Sequence, residues 1–245
     1  MSIPGLNDWL VTPQGRYVLD WEQRRCDLVL SDVFGFNAVQ LGLAKVDLLR
    51  TNRMPLRIHC DDSYLPGLQA RAQPYHLPFA SASLDLVVLP HVLEFSAYPH
   101  QVLREVERVL VPEGQVLITG FNPWSLWGLR RKFCRKGFPR NGNYLGVARL
   151  KDWLILLGFE VNGGRFGCYA PPLETESGLQ GCRWMELAGD RWWPIFGGVY
   201  MLQAVKRVHG MRLILPKWRD RLAQAKALAP SPAVPRTNRI SSNHE

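Results

Sequence analysis

The sequence predicts an α/β fold built on a doubly wound, mostly parallel β-sheet. The first observation is a short and almost continuous apolar run, Leu84 to Leu89, which is typical of a strand covered on both faces. The second is a helix from Pro99 to Leu110, because proline suits a first helical position and apolar residues then recur at helical spacing. The third is another buried strand, Gln115 to Phe121, which follows the turn residues Pro112-Glu113-Gly114. Strand, helix and strand in this order predict a right-handed βαβ unit.

The composition is that of a globular protein with a large core. The chain has 245 residues, of which 47% are hydrophobic. No apolar run approaches the ~18 residues that a membrane-spanning helix needs, and the N-terminus lacks the pattern of a secretion signal. The 5 cysteines are scattered and include no CxxC pair, which favours reduced thiols over disulfides or a metal site. We therefore expect a cytoplasmic protein with no transmembrane segment and no bound metal.

Positive charge is concentrated in two places. The formal net charge is +9, and residues 130–140 contain six basic side chains (Arg130, Arg131, Lys132, Arg135, Lys136 and Arg140). A second basic region begins at Arg212 and extends to the end of the sequence. Such clusters bind nucleic acid or anionic lipid in some proteins and form solvated surfaces in others. From about Lys217 the composition predicts a disordered tail.

The remaining elements follow the chain in order. Thr12-Pro13 predicts the start of a helix that reaches about Val33. Apolar runs and turn signals then predict five further strands and one further helix. These are strands over residues 38–42, 56–61, 70–75 and 159–161, a helix from Val147 to Leu157 closed by Gly158, and a last strand over residues 199–208.

The sequence of the βαβ unit, the central unit of the chain, resembles that of one known family. The chain reads LPF, four residues later LDLVV, then HVLEF, and a helix ending in RVLVPEGQVLIT. This is similar to the class I S-adenosylmethionine (SAM) dependent methyltransferases, and to their small-molecule branch sometimes called type 11. Leu84 replaces the usual Phe, Phe95 the second His, and Glu113-Gly114 the usual Gly-Gly. The resemblance implies a Rossmann-like methyltransferase fold of seven strands, in which the last strand is antiparallel.

The same resemblance divides the chain into three parts. Residues 1–33 would form a helical extension, and residues 34–210 the methyltransferase-like domain. An insertion at about 162–198 would lie where the family carries substrate-facing segments. Residues 217–245 would be a disordered basic tail.

The resemblance weakens at the exit of the first strand. The family has an acidic residue, an apolar residue and then G-x-G-x-G, whereas this chain has Gln40, Leu41 and Gly42, followed by Leu43 and Ala44. Glycines there let the backbone approach the cofactor, because a Cβ atom would intrude. Gln40 and Gly42 are therefore expected in an altered cofactor pocket, or in the remains of one.

Four further residues are candidates for cofactor binding. An acid that ends the second strand accepts the ribose hydroxyls in doubly wound folds, which indicates Asp61, with Asp62 as the alternative. By the family resemblance, Gln73 would accept from the adenine amino group and Leu77 would pack on the adenine ring. His91 follows the strand at Leu84 to Leu89 and would line the pocket, although an imidazole there could also act as a base.

Asn122-Pro123-Trp124 resembles the (D/N)PP(Y/W) motif of amino methyltransferases but follows the fifth strand rather than the fourth and lacks the second proline. It is interpreted as a turn near the pocket. Trp124 and Trp127 would be core aromatics of a short helix, or would contact a nucleobase or a membrane surface.

Three functions are compatible with these observations. The first is a SAM-dependent methyltransferase acting on a small-molecule acceptor, whose catalytic residues the sequence does not identify. The second is a binding or scaffold protein that keeps the fold without the cofactor, and the third is a nucleic-acid methyltransferase. The central unit favours the first, the altered glycine loop the second, and the basic clusters alone the third.

Overall fold

The computed structural model of the protein describes residues 6–62, 69–133, 142–182 and 184–208. The helices in these ranges are α1 (Leu6–Leu10), α2 (Pro13–Leu30), α3 (Val92–Phe95), α4 (Pro99–Val109), α5 (Leu126–Phe133), α6 (Val147–Leu156), α7 (Glu176–Gly181) and α8 (Trp184–Trp192), with a 3-10 turn at Pro194–Phe196. The strands are β1 (Asn37–Leu41), β2 (Leu56–Asp61), β3 (Ala70–Arg71), β4 (Leu84–Pro90), β5 (Leu110–Phe121), β6 (Phe159–Gly167) and β7 (Val199–Lys206). The predicted tail at 217–245 lies outside the described residues.

The strands form one seven-stranded sheet in the order β3-β2-β1-β4-β5-β7-β6. The first five pair in parallel, and β7 runs antiparallel to both β5 and β6. The predicted fold class is thus confirmed, including the antiparallel last strand. The chain leaves β1 in one direction along the sheet and returns to β4 on the other side, so the strand order reverses between β1 and β4.

Helices cover both faces of the sheet, as the unbroken apolar strands require. On β4, Leu86 and Val88 belong to a core shared with α1 and α2, whereas Val87 and Leu89 pack with α4 and α6. The same alternation on β1 and β5 gives two buried layers, one on each side of the sheet. These layers fix the strand ends where the candidate site lies.

The N-terminal helix begins as predicted and ends at Leu30, three residues earlier than expected. The Thr12 hydroxyl accepts a hydrogen bond from the Gly15 backbone N–H at 3.2 Å, which satisfies one of the free donors of the first turn. Within the described ranges, no helix is both long and apolar enough to cross a bilayer. Three of the free cysteines, Cys26, Cys60 and Cys168, are buried.

Three strand predictions were wrong in extent by more than two residues. Pro112-Glu113-Gly114 does not separate the helix from the strand, because β5 already begins at Leu110, which pairs with Leu84. The register then shifts before Leu86 pairs with Gln115, and Glu113 takes a left-handed φ of 65°. The turn residues therefore form a bulge inside one strand.

The second strand prediction that was wrong concerns β6. This strand was expected to stop at Val161, but it continues to Gly167 in register with β7. The predicted third strand, by contrast, is reduced to Ala70–Arg71.

Candidate functional site

An open cleft lies at the carboxyl ends of β1 to β4, next to the point where the strand order reverses. The empty space at this position is about 740 Å³, which includes space open to solvent. Its walls come from the ends of β1 and β2, the segment after β3, and α3 with the residues that follow it. The lining residues are Leu41, Gly42, Cys60, Asp61, Asp62, Ala72, Pro74, Tyr75, Val92, Phe95, Ser96, Ala97 and Tyr98. This is the position at which open α/β sheets bind their ligands.

Gly42 forms the turn at the exit of β1. Its φ is +79°, in the left-handed region that favours glycine, and its N–H donates to the Cys60 carbonyl at 2.8 Å. A Cβ atom on Gly42 would lie 3.2 Å from Val92 Cγ2, on the opposite wall of the cleft. The single remaining glycine of the family motif therefore keeps this part of the cleft open.

Gln40 is fully buried and is absent from the lining of the cleft. Its Nε2 donates to the Val46 carbonyl at 2.7 Å and lies 3.2 and 3.4 Å from the carbonyls of Gly42 and Leu43. Its Oε1 accepts from the Leu48 N–H at 2.9 Å. The amide thus satisfies backbone hydrogen-bonding groups of an irregular loop. This requires a donor and an acceptor on one side chain.

Asp61 ends β2 and lines the cleft, as its position in the sequence predicted. It is only 4% exposed, and its carbonyl accepts from the Ala72 N–H at 3.1 Å. Asp62 also lines the cleft, and its carbonyl accepts from Arg71 Nε at 2.8 Å. Both acids therefore remain candidates for a polar ligand group.

Gln73 and Leu77 lie outside the lining. Gln73 is exposed and lies between two lining residues, Ala72 and Pro74. Leu77 is 2% exposed within the hydrophobic core, and its N–H donates to Glu105 Oε1 at 2.8 Å. Leu77 is thus a core residue and not part of the lining.

Two aromatic residues of the cleft were missed by the sequence argument. Tyr75 and Tyr98 pack edge to face with their ring centroids 6.2 Å apart, and both remain exposed. Tyr98 could have been found from its place, because it lies just before Pro99, where the chain turns back from the ligand edge. Exposed rings at a cleft give a planar ligand group a surface to stack on.

His91 does not line the cleft, which departs from its expected role. Its ring is fully buried, stands 4.3 Å from the Phe121 ring, and contacts two carboxylates. Nδ1 lies 3.1 Å from Glu94 Oε2, and Nε2 lies 2.9 Å from Glu22 Oε1. The second contact is at ion-pair distance without the alignment of a hydrogen bond, since Glu22 accepts none from the described residues. We call these three residues the buried triad.

The triad joins elements that are far apart in the sequence. Glu22 comes from α2, His91 from the exit of β4, and Glu94 from α3. The Oε1 atom of Glu94 also accepts a hydrogen bond from the Phe121 N–H. The signal for Glu22 was present in the sequence, because Val18, Glu22 and Cys26 recur four residues apart on one buried helix face. An acid in the middle of an apolar stripe indicates a buried partner.

Burial and charge act against each other in the triad. Burial alone would lower the pKa of His91, but the carboxylates of Glu22 and Glu94 raise it to about 10. Burial also raises the pKa of Glu94, against the opposing effect of His91. The imidazole therefore holds its proton between two acids and cannot reach a ligand in the cleft.

Asn122 and the tryptophans that follow it lie at the same edge of the sheet, beyond β5. Asn122 Nδ2 donates to the carbonyls of Ile195 at 2.7 Å and Gly197 at 3.0 Å. Trp127 is buried and donates from Nε1 to the Ala170 carbonyl at 2.8 Å, whereas Trp124 is 76% exposed. The asparagine thus fixes a loop, and only Trp127 is the expected core aromatic.

Comparisons with known proteins agree with this architecture. Residues 17–118 match a family described as a methyltransferase domain. The Escherichia coli K12 protein YafS, an uncharacterized protein, is 33% identical over 156 residues, which are 62% of this chain and 65% of that protein. The alignment therefore spans just under two thirds of the relative's length.

Two solved structures share the fold at low sequence identity. One is a chain from the complex of the Haloferax volcanii Trm112 methyltransferase activator with its methyltransferase partner, with a TM-score of 0.62, 15% identity, and coverage of 86% of this chain and 100% of that chain. The other is a SAM-dependent methyltransferase from Thermotoga maritima, with a TM-score of 0.59, 16% identity, and coverage of 78% and 90%. Residues 17–118 are thus similar to a methyltransferase domain, and the chain shares the Rossmann-like methyltransferase fold of these structures.

Proposed function

We propose that this protein is a SAM-dependent methyltransferase that acts on a small-molecule acceptor. The observation that carries the proposal is the meeting of Gly42 and Asp61 on one cleft where the strand order reverses. The two residues come from neighbouring parallel strands, so their arrangement follows from the sheet itself. When bound, SAM supplies an electrophilic methyl group to a nucleophilic atom of the acceptor.

The residues of the cleft fit the cofactor in three respects. A carboxylate at the end of β2, Asp61, suits the two ribose hydroxyls as an acceptor of hydrogen bonds. The rings of Tyr75 and Tyr98 offer surfaces for a planar base. The cleft is open at Gly42, where a Cβ would approach the wall formed by Val92.

The chain's part in the reaction would be to bind and align the two reactants. Methyl transfer to an atom that is already nucleophilic needs mainly orientation and the exclusion of water. His91 and Glu94 are buried behind the wall of the cleft, so we assign them no proton transfer. Their role in this proposal is to position α3, whose Val92 and Phe95 form that wall.

Titration calorimetry with SAM and with its demethylated product tests the proposal directly. We expect Asp61→Ala to weaken binding by roughly 1.5–3 kcal/mol, the usual cost of losing a hydrogen bond to a charged group. Asp62→Ala distinguishes the contribution of Asp62 to binding from that of Asp61. The matched control is Asp20→Ala, which removes an exposed acid on α2. Unchanged affinity in Asp61→Ala would remove that residue from the site.

A cofactor-free binding protein is the competing function. It is favoured by Gln40, which occupies the position of the family's acid but is used entirely to hold a loop. In that case the parent protein would show no heat of binding with either compound, while keeping its thermal stability.

A further inference from the structure

A second surface at the same edge of the sheet is both apolar and exposed. It is formed by the segments that follow β5 and precede β7. Several of its large apolar side chains are exposed, and we call six of them the apolar rim: Trp124, Leu126, Leu129, Trp192, Ile195 and Phe196. Exposed apolar side chains concentrated in this way mark interaction sites.

The two segments of the rim are held together by the fold. Phe121 and Val199 pair across β5 and β7, so the chain enters and leaves the sheet at one place. Asn122 then bonds the carbonyls of Ile195 and Gly197, and its N–H donates to the Gly198 carbonyl at 2.9 Å. The rim is therefore a fixed feature of this edge and does not depend on a loose loop.

The rim includes part of α5, whose sequence is basic. The described residues 122–133 contain three basic residues, all on α5, and no acidic one. Arg130 pairs with Glu174 at 3.0 Å, and the Arg131 guanidinium lies 4.1 Å from the centre of the Tyr144 ring. A helix with exposed leucines and a basic sequence is typical of a segment that lies on an anionic membrane surface.

We propose that the apolar rim docks this protein on an anionic lipid bilayer. The aliphatic members Leu126, Leu129 and Ile195 favour lipid over RNA, because they cannot stack on a base as aromatic rings do but gain free energy among acyl chains. Tryptophan is suited to the membrane–water boundary. The basic residues match the negative charge of the lipid headgroups.

The cleft described above opens at the same edge of the sheet. Docking would therefore bring the cleft close to the bilayer. The inference goes beyond the proposed function and does not depend on it, because lipid binding needs no cofactor.

Co-sedimentation of the full chain with vesicles tests the inference. The probes are vesicles of neutral phosphatidylcholine and vesicles that also contain phosphatidylglycerol, without SAM. We expect binding to the anionic vesicles that weakens as salt is added, because surface charges are screened. The double variant Trp124→Ser/Phe196→Ser should bind at least about tenfold more weakly, since two large apolar side chains no longer insert.

The matched control is Ile155→Ser/Leu156→Ser. These two apolar residues are equally exposed but lie at the end of α6, next to the start of β6 and thus at the opposite edge of the sheet. The control should bind vesicles as the parent does. Lys132→Glu reverses one charge in the sequence of α5 and should weaken binding by about fivefold or more, because anionic lipid attracts basic segments.

Three results would overturn the inference. One is no binding of the parent to anionic vesicles. Another is equal loss in the rim and control variants with unchanged melting temperatures. The third is binding of a single-stranded RNA oligonucleotide, or concentration-dependent self-association, that is lost in the rim variant while vesicle binding is not.

Discussion

The two strands that flank the reversal of strand order, β1 and β4, leave the sheet in opposite ways. At the exit of β1 the sequence departs from the family, yet Gly42 still opens the backbone into the cleft. At the exit of β4 the sequence agrees with the family, yet His91 and Glu94 are turned inward to Glu22. The β1 exit keeps space for a ligand although its residues differ from the family motif. The β4 exit has the residues of the family motif, but they form a buried cluster.

The difference shows that a sequence motif predicts where a residue lies in the fold more reliably than it predicts what that residue does. In both places the residue type matters through its donors, acceptors and charge in one local environment. If this comparison is correct, substitutions at the β4 exit should mainly change stability. Substitutions at Gly42 should mainly change the cleft.

The largest effect is expected for His91→Ala. The substitution leaves Glu22 and Glu94 buried without the imidazole between them, and breaking a buried ion pair costs about 3–5 kcal/mol. Urea unfolding measures the loss. Asp47→Asn, which removes the charge of the half-exposed partner of His59, is the control and should cost under about 1 kcal/mol. A similar small loss in both variants would show that the triad is not an electrostatic unit.

The pH dependence of stability gives a second measurement of the same triad. The folded state raises the pKa of His91 to about 10, so its contribution is fully present below the ordinary value of 6.5 and is lost as the pH rises towards about 10. The raised pKa of Glu94 acts in the same direction, because ionising it in the folded state becomes costly as the pH rises. The free energy of unfolding of the parent should therefore fall more steeply with rising pH than that of His91→Ala.

Gln40→Glu should have an intermediate effect. This substitution restores the family's acid but turns a carboxylate oxygen towards the carbonyls of Gly42, Leu43 and Val46, where a donor is needed. We expect a loss of about 2–3 kcal/mol from the unpaired and repelling oxygens. Gln115→Glu is the matched control, because Gln115 already accepts a hydrogen bond from Gln203 through its oxygen at 2.8 Å. A gain of stability in Gln40→Glu would contradict our account of the loop.

Gly42→Ala should have the smallest effect on stability and a distinct effect on the cleft. A left-handed φ of +79° costs a residue with a Cβ about 1–2 kcal/mol. Gly158→Ala should lose a similar amount, because its φ is +83°, but its Cβ would lie near the Arg207 carbonyl and away from the cleft. Calorimetry should therefore find weaker SAM binding only in Gly42→Ala. Equal affinities in the two variants would contradict the placement of Gly42.

Elements whose own residues decide their structure were predictable. The bounds of β2 agree with the prediction, and the start of α2 was correct because Thr12 and Pro13 suit a helix start by themselves. Elements that depend on a partner strand were not. The glycine-rich part of β6 is a strand because β7 pairs with it, and its composition gives no sign of this.

The same distinction applies to the candidate site. Gly42 and Asp61 follow from strand order, which a sequence pattern shows, and both line the cleft. The surroundings of His91 depend on how distant segments pack, so its burial could not be read from its own neighbours. Gln40 bonds the irregular loop that directly follows it, and no sequence pattern indicated those bonds. The periodicity of α2 could have placed Glu22 on its buried face, although not in contact with His91.

The position of α2 has a consequence for how the protein is made. Gln14 on this helix donates to the carbonyl of Pro172, 158 residues later, and Trp21 packs directly against Gly167. A ribosome adds about 5–20 residues per second, so roughly 10–30 s pass between the synthesis of α2 and of these two partners. During that time the apolar face of the helix has no complete sheet to cover. A chaperone that binds apolar segments would therefore find this helix exposed until about residue 172 has been synthesised.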